Sequence, residues 1–174
     1  MLQWYLGDVS EVYGVWKNFN HPYIEVEDTA LALIKFKNVA VGNILVSNSQ
    51  NPALYGKVHV HGSNGASIGV QTDGGAMFIA GVSSIAEAPY NDIWTINGEE
   101  SMLNIWKKED EDFFNSETNT EYYYHKLQIQ DFVNSVVNDS KPFVDGIEGR
   151  KTVEIFTAIY RSTKTNSSIV FPLK

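Results

Sequence analysis

Residues 25–36 (EVEDTALALIKF) alternate with period two. Val26, Asp28, Ala30, Ala32, Ile34 and Phe36 take one face, and Glu27, Thr29, Leu31, Leu33 and Lys35 the other, which predicts a strand. Lys37 and Asn38 supply a turn and residues 39–49 (VAVGNILVSNS) return, so the two runs form a hairpin. Upstream, residues 1–6 (MLQWYL) have the character of a helix end capped by Gly7, and residues 11–19 (EVYGVWKNF) that of a strand rich in Val, Tyr, Trp and Phe. A chain that opens on a helix's last turn is expected to be a piece of a longer protein. Residues 57–61 (KVHVH) predict a further strand, Gly62-Ser63-Asn64-Gly65 a turn and residues 66–71 its return; Asp73-Gly74-Gly75 predicts another turn before a strand at 76–79.

The stretch 81–121 is less regular, with short strands expected at 93–96 and 103–106, a solvated loop for the charge run 107–112 (KKEDED) and a loop at 115–120. The period then changes to that of a helix. Residues 126–139 (KLQIQDFVNSVVND) place Ile129, Phe132, Val133, Val136 and Val137 on one stripe, and Lys141-Pro142 ends it. Asp145, with Glu148 three residues on, is a capping-box start for a second helix at 149–164, and residues 168–173 close as a short strand. Strands first and helices afterwards predict an α+β fold, a predominantly antiparallel open sheet with helices packed on one face. Leu31 and Leu33 lie opposite Ile34 and Phe36, so the second face of the sheet is expected to be covered by another subunit or domain, a long insert being the alternative.

Composition narrows the partners. The 174 residues are 43% hydrophobic and 20% charged, ordinary for one globular domain spanning 1–174. The net charge of −8 lacks the basic footprint that nucleic acid or an anionic membrane needs. There is no cysteine, which removes disulfides and thiolate chemistry. No apolar run is of membrane-spanning length and no leader opens the chain, so a cytoplasmic location is the default expectation.

The wording of the last third, "QDFVNSV…KPFVDGIEGRKTVEIFTAIYRSTKT…IVFPL", resembles the C-terminal end of the Gfo/Idh/MocA oxidoreductases. "LQWYLGDVSEVYG", "IEVEDTALALIKFKN…VGNI" and "VHVHGSNGAS" extend the resemblance over most of the chain, and "YNDIWTINGEE" resembles a subset of that family. Two positions depart from its pattern: Val39 stands where a glycine is usual in the hairpin turn, and Asn166 near the usual glycine after the last helix. The resemblance implies two-domain enzymes of which this chain holds the second domain, an NAD or NADP cofactor on the missing N-terminal Rossmann domain, and a sugar, cyclitol or related polyol as substrate. Gly62, Gly65 and Gly69 do not have the G-x-G-x-x-G spacing and no helix is expected after them, so no cofactor is expected on this chain itself. The family's catalytic Lys belongs to the absent domain. Its Asp and His lie on the helix whose final turns resemble residues 1–6, upstream of this chain. No catalytic residue is therefore assigned here. The implied role is substrate-side contact and homo-oligomerisation through the open sheet face.

Several residues carry candidate chemistry. His59 and His61 form an H-x-H pair on one strand face, a spacing that metals use; exposed hairpin positions explain it equally, and with no third ligand no metal site is assigned. His125, preceded by Tyr122, Tyr123 and Tyr124, falls at a helix start that the resemblance places near the interdomain cleft. There His125 could bond a substrate hydroxyl and Tyr123 line a pocket; capping or packing is the alternative, because His125 shares the Ile129 face. Trp94 and Trp106 are candidate platforms for a sugar's C–H face, or core residues. Asn91 and Asp92 are expected in a loop, as hydroxyl ligands or as turn residues. Glu25, Glu27 and Asp28 are most simply a solvated strand end, and no G-x-S-x-G elbow supports a hydrolase. A free-standing binding module without a cofactor domain is the alternative function, and an independent enzyme using the carboxylates or the H-x-H pair a third. The substrate's identity, the choice of NAD or NADP and the oligomeric state are not legible.

Overall fold

The computed structural model describes residues 1–50, 56–71, 89–116 and 120–174. The expected turn at 73–75 and strand at 76–79 lie outside them. The chain divides into two compact units, Met1–Leu54 with Lys141–Lys174, and Tyr55–Ser140.

In the first unit a short helix, α1 (Leu2–Leu6), ends at Gly7, whose positive φ of 80° suits glycine and whose N–H bonds the Gln3 carbonyl. β1 (Val9–Lys17) lies between β2 (Thr29–Phe36) and β7 (Ile169–Val170), with β3 (Val41–Ser47) outside β2, all antiparallel. The alternation of β2 is realised: Ala32, Ile34 and Phe36 are buried, while Leu31 and Leu33 stay 50% and 64% exposed. α4 (Gly146–Thr165) packs on β1, and its Ile155, Ala158 and Ile159 complete a core with Val9, Val12, Ala32, Ile34 and Phe36. Burying each larger side chain contributes about 1.5–3 kcal/mol.

Local chemistry places α4. Asp145 accepts bonds from the Ile147 and Glu148 amides at 2.9 and 3.0 Å, the expected N-cap; Glu148 turns to Lys151 rather than back to the cap. Asn166 ends the helix in the left-handed region. Close approach needs Gly14, where a Cβ would sit 2.9 Å from Ile159 Cγ2 and 3.1 Å from Ile159 Cα. β7 pairs only with Glu11 and Val12 of β1. Beyond it α4 supplies the partners: Gly14 N–H donates to Ser162 Oγ at 2.9 Å, Trp16 N–H to Thr163 Oγ1 at 3.2 Å, and Thr163 Oγ1 donates to the Gly14 carbonyl at 3.2 Å.

Residues 25–28 are not strand, and Asp28 is not part of a solvated strand end. It is buried, its Oδ2 accepting from the Phe19 and Asn20 amides and meeting His21 Nδ1. Burial works against its charge. The Ser49 hydroxyl beside it and the Asn20, His21 and Phe19 donors outweigh that, and hold the carboxyl far below its ordinary range. Glu27 accepts a short bond from Tyr160, whose hydroxyl is pushed up to about 12 by that bond, by burial and by the carboxylate's charge. Asn18 ties the intervening loop by donating to the carbonyls of His21, Ile24 and Val26.

In the second unit β4 (Lys57–His61), β5 (Ser67–Gln71) and β6 (Tyr90–Trp94) form a separate antiparallel sheet in that order. α2 (Met102–Ser116) lies against β6, and α3 (Thr120–Val137) follows it in the chain. Residues 103–106, expected as a strand, and 107–112, expected as a loop, are both helical. The half-buried positions Leu103, Trp106, Asp110 and Phe114 recur at helical spacing, and this outweighs the strand preference of Ile105 and Trp106. Asn115 and Ser116 also belong to α2 and Thr120 to α3, leaving 117–119 outside the described residues. The α3 stripe Ile129, Phe132, Val133, Val136 and Val137 is exposed.

Candidate functional site

Strand β6 concentrates the polar and aromatic chemistry of the second unit. Asn91 and Asp92 belong to this strand rather than to a loop. Its register slips by one residue against β5: Asn91 pairs with Val70 and Ile93 with Gly69, leaving Asp92 as the extra residue of a bulge. In a regular strand Asn91 and Trp94, three apart, would face opposite sides. The extra residue restores them to one side, and among the described residues both line a shallow, open depression of about 290 Å³ with Trp106 and Asp110 of α2. The two indoles meet edge to face at 4.5 Å, and Trp94 Nε1 donates to Glu99 Oε2 at 3.1 Å. Among the described residues neither the Asn91 carboxamide nor the Asp110 carboxylate has a hydrogen-bond partner. Burial, and then the charge of Glu109, raise the Asp110 pKa.

Asp92 turns to the other side of the sheet. Its Oδ2 meets His59 Nε2 at 2.7 Å and Lys57 Nζ at 3.7 Å, and its Oδ1 is buried without a partner among the described residues. The pair occupies the space over Gly69, where a Cβ would lie 2.5 Å from His59 Cδ2 and 2.7 Å from Asp92 Oδ1. His61 is on the same face as His59, ring centroids 6.3 Å apart, and bonds Ser67 Oγ through Nδ1. Among the described residues no cluster of three or more His, Cys, Asp or Glu could hold a metal ion.

The five residues singled out from sequence are thus divided. Asn91 and Trp94 share the depression, while Asp92 is engaged with His59. Tyr123 stacks edge to face on Phe113 at 5.1 Å, and His125 is exposed within α3 rather than at its start, which lies at Thr120. Sequence reasoning left out Asp110. Its signal was a carboxylate at an inward position of the Leu103–Trp106–Phe114 stripe, hidden inside what looked like a loop of charges.

The sequence model of the oxidoreductase family's C-terminal alpha/beta domain, Gfo/Idh/MocA, matches residues 1–171. The chain belongs to that family. The fold of this Gfo/Idh/MocA domain is found in the WlbA dehydrogenase of Bordetella pertussis in complex with NADH and UDP-GlcNAcA, at a TM-score of 0.71 and 24% identity over 99% of this chain and 45% of that one. The Chromobacterium violaceum WlbA dehydrogenase gives 0.66 and 21% over 99% and 43%. A levoglucosan dehydrogenase complexed with NADH and L-sorbose gives 0.58 and 15% over 99% and 47%. The chain therefore spans less than half the length of these solved relatives. No curated protein matches it. Among the described residues no helix is long and apolar enough to cross a membrane.

A dinucleotide does not fit the residues described. Their strands pair antiparallel, and the N-terminal amides of α4, where a pyrophosphate would be held, are taken by the Asp145 carboxylate.

Proposed function

We propose that this Gfo/Idh/MocA domain is the substrate-side and oligomerisation domain of an NAD(P)-dependent oxidoreductase acting on a sugar, cyclitol or related polyol. The observation that carries the reading is the family match over 1–171. The solved relatives add support through what they hold: NADH with a sugar nucleotide in one, NADH with a ketose in another. In this reading the dinucleotide sits on polypeptide outside the chain, and the chain by itself is inactive. Asn91 and Trp94 keep a substrate-lining role, Asp92 supports β6 through His59, and Tyr123 and His125 take the edge of the cleft.

The open face of the first sheet supports assembly. Tyr13 pairs with Leu33, Val15 with Leu31, and Leu31 in turn with Leu45, in rows that leave all five side chains exposed. A second copy laid on this face would cover them.

The decisive experiment adds NADH or NADPH to the purified chain and follows cofactor fluorescence or heat. No saturable binding is expected; a micromolar dissociation constant would overturn the reading. Sedimentation of the same sample, beside Leu31→Glu, tests the sheet face: the substitution is expected to shift the chain toward monomer.

A further inference from the structure

We infer that Asn97 is a site of spontaneous covalent modification, where asparagine passes through a cyclic imide to aspartate and isoaspartate, and that the fold shields the chain's other Asn-Gly pair, Asn64-Gly65, from the same reaction.

The sequence contains two Asn-Gly pairs, 64–65 and 97–98. Glycine has no side chain to crowd the approach of its main-chain nitrogen to the preceding asparagine Cγ. As that nitrogen attacks, the N–Cγ bond forms and the Cγ–Nδ2 bond breaks, and the nitrogen's proton leaves with Nδ2 as ammonia. Water then opens the imide. Breaking the new bond gives aspartate, and breaking the original peptide bond gives isoaspartate; water is the only co-reactant and nothing is oxidised or reduced. Two things are needed of the fold: the glycine N–H must come free of its acceptor, and Cγ must swing onto that nitrogen.

The hairpin between β4 and β5 denies both to Asn64. Gly65 N–H, the attacking group, donates to the Gly62 carbonyl at 3.0 Å, inside a turn that Gly62 N–H closes on the Ala66 carbonyl at 2.8 Å. Asn64 Oδ1 accepts from Ala66 N–H at 3.1 Å, and the carboxamide lies over Gly62, where a Cβ would come within 2.6 Å of Oδ1. Nucleophile and electrophile are thus each held by the main chain.

The turn between β6 and α2 holds neither so firmly. It is closed by Glu99 N–H on the Ile96 carbonyl at 3.0 Å, a bond that leaves Gly98 N–H out. Gly98 N–H donates instead to the Glu100 carboxylate at 3.0 Å, an exposed side-chain acceptor that water replaces at little cost. Asn97 is exposed, and among the described residues its carboxamide has no hydrogen-bond partner to restrain it. The new carboxylate would fall two residues before the Glu99 that holds the Trp94 indole, adding negative charge to the joint between β6 and α2.

The test incubates the full 174-residue chain in mildly alkaline buffer, folded and in urea, and follows the peptides carrying Asn64 and Asn97 by mass spectrometry, which reads the exchange of NH for O. In the folded chain Asn97 is expected to convert at least about tenfold faster than Asn64. In urea the two rates are expected to come within about twofold of each other, because the shielding of Asn64 is conformational. Three results would each overturn the inference: Asn64 converting as fast as Asn97 in the folded chain, no conversion of folded Asn97 over the time in which the unfolded chain converts, or a tenfold difference that persists in urea.

Discussion

The two units of the chain are built alike, a small antiparallel sheet with a helix against it, and are filled differently. Between α4 and the β1–β2 face the core is made by Val12, Ile34, Ala158 and Ile159, all buried and apolar, with the Ser162 and Thr163 hydroxyls bonded to the edge of β1. Between α2 and β6 the contact is made by two half-buried indoles, a carboxamide and a carboxylate around open space. No described apolar residue of the second unit is buried. The same architecture therefore serves cohesion in one place and leaves polar side chains at an open surface in the other: apolar matching closes the first contact, and the second is packed more loosely.

The glycines at the two contacts allow the sharpest test. Gly14 faces the backbone of α4, which cannot yield, whereas Gly69 faces the outer ends of His59 and Asp92, which can rotate away. Gly14→Ala is expected to cost about 3 kcal/mol in urea unfolding and Gly69→Ala about 1 kcal/mol. Equal losses would show that the first contact is no more rigid than the second.

One carboxylate in each unit, buried Asp28 and half-buried Asp110, separates the units by sign. The pKa of Asp28 is depressed below its unfolded value of about 3.9, so the unfolded chain takes up more protons as pH falls. Its stabilisation is complete above about pH 5 and is lost as the pH drops through that value toward the folded one. Asp110 is raised, so its charge opposes folding at neutral pH and protonation relieves it. At pH 7 Asp28→Asn is expected to lower the urea midpoint and Asp110→Asn to raise it; between pH 5 and 3 Asp28→Asn should lose less stability than the parent. A parent-like acid profile in Asp28→Asn would remove the carboxylate from the account.

The smallest effect concerns the β2–β3 turn, where Val39 holds a φ of 67° at 93% exposure. A β-branched residue is strained there, and glycine relieves the strain while adding freedom to the unfolded chain. Val39→Gly is expected to stabilise by about 0.5 kcal/mol, seen as a small rise in thermal midpoint.

What was legible in the sequence follows the same division. β2 declared its inner and outer faces by strict alternation, and α4 its first turn by Asp145, because apolar burial and capping are local signals. The second unit defeated that reading in two places. Charges at 107–112 masked a helix whose inward stripe includes a carboxylate, and a one-residue bulge at Asp92 moved Asn91 to the side of Trp94, which no periodicity announces. The depression depends on both, so Asn91 and Trp94 were visible as candidates but their partner Asp110 was not. Asp28 failed for a related reason: a polar residue at the head of a strand looks solvated until the loop that folds back over it is known.

The hydroxyls that Ser162 and Thr163 extend to Gly14 and Trp16 have a consequence for how the first unit opens. Since the helix stands in for a neighbouring strand along that length of β1, detaching it strands the amides of Gly14 and Trp16 in the same event. Helix and sheet should then exchange their amide protons with solvent as one cooperative block, with no intermediate in which the sheet survives bare.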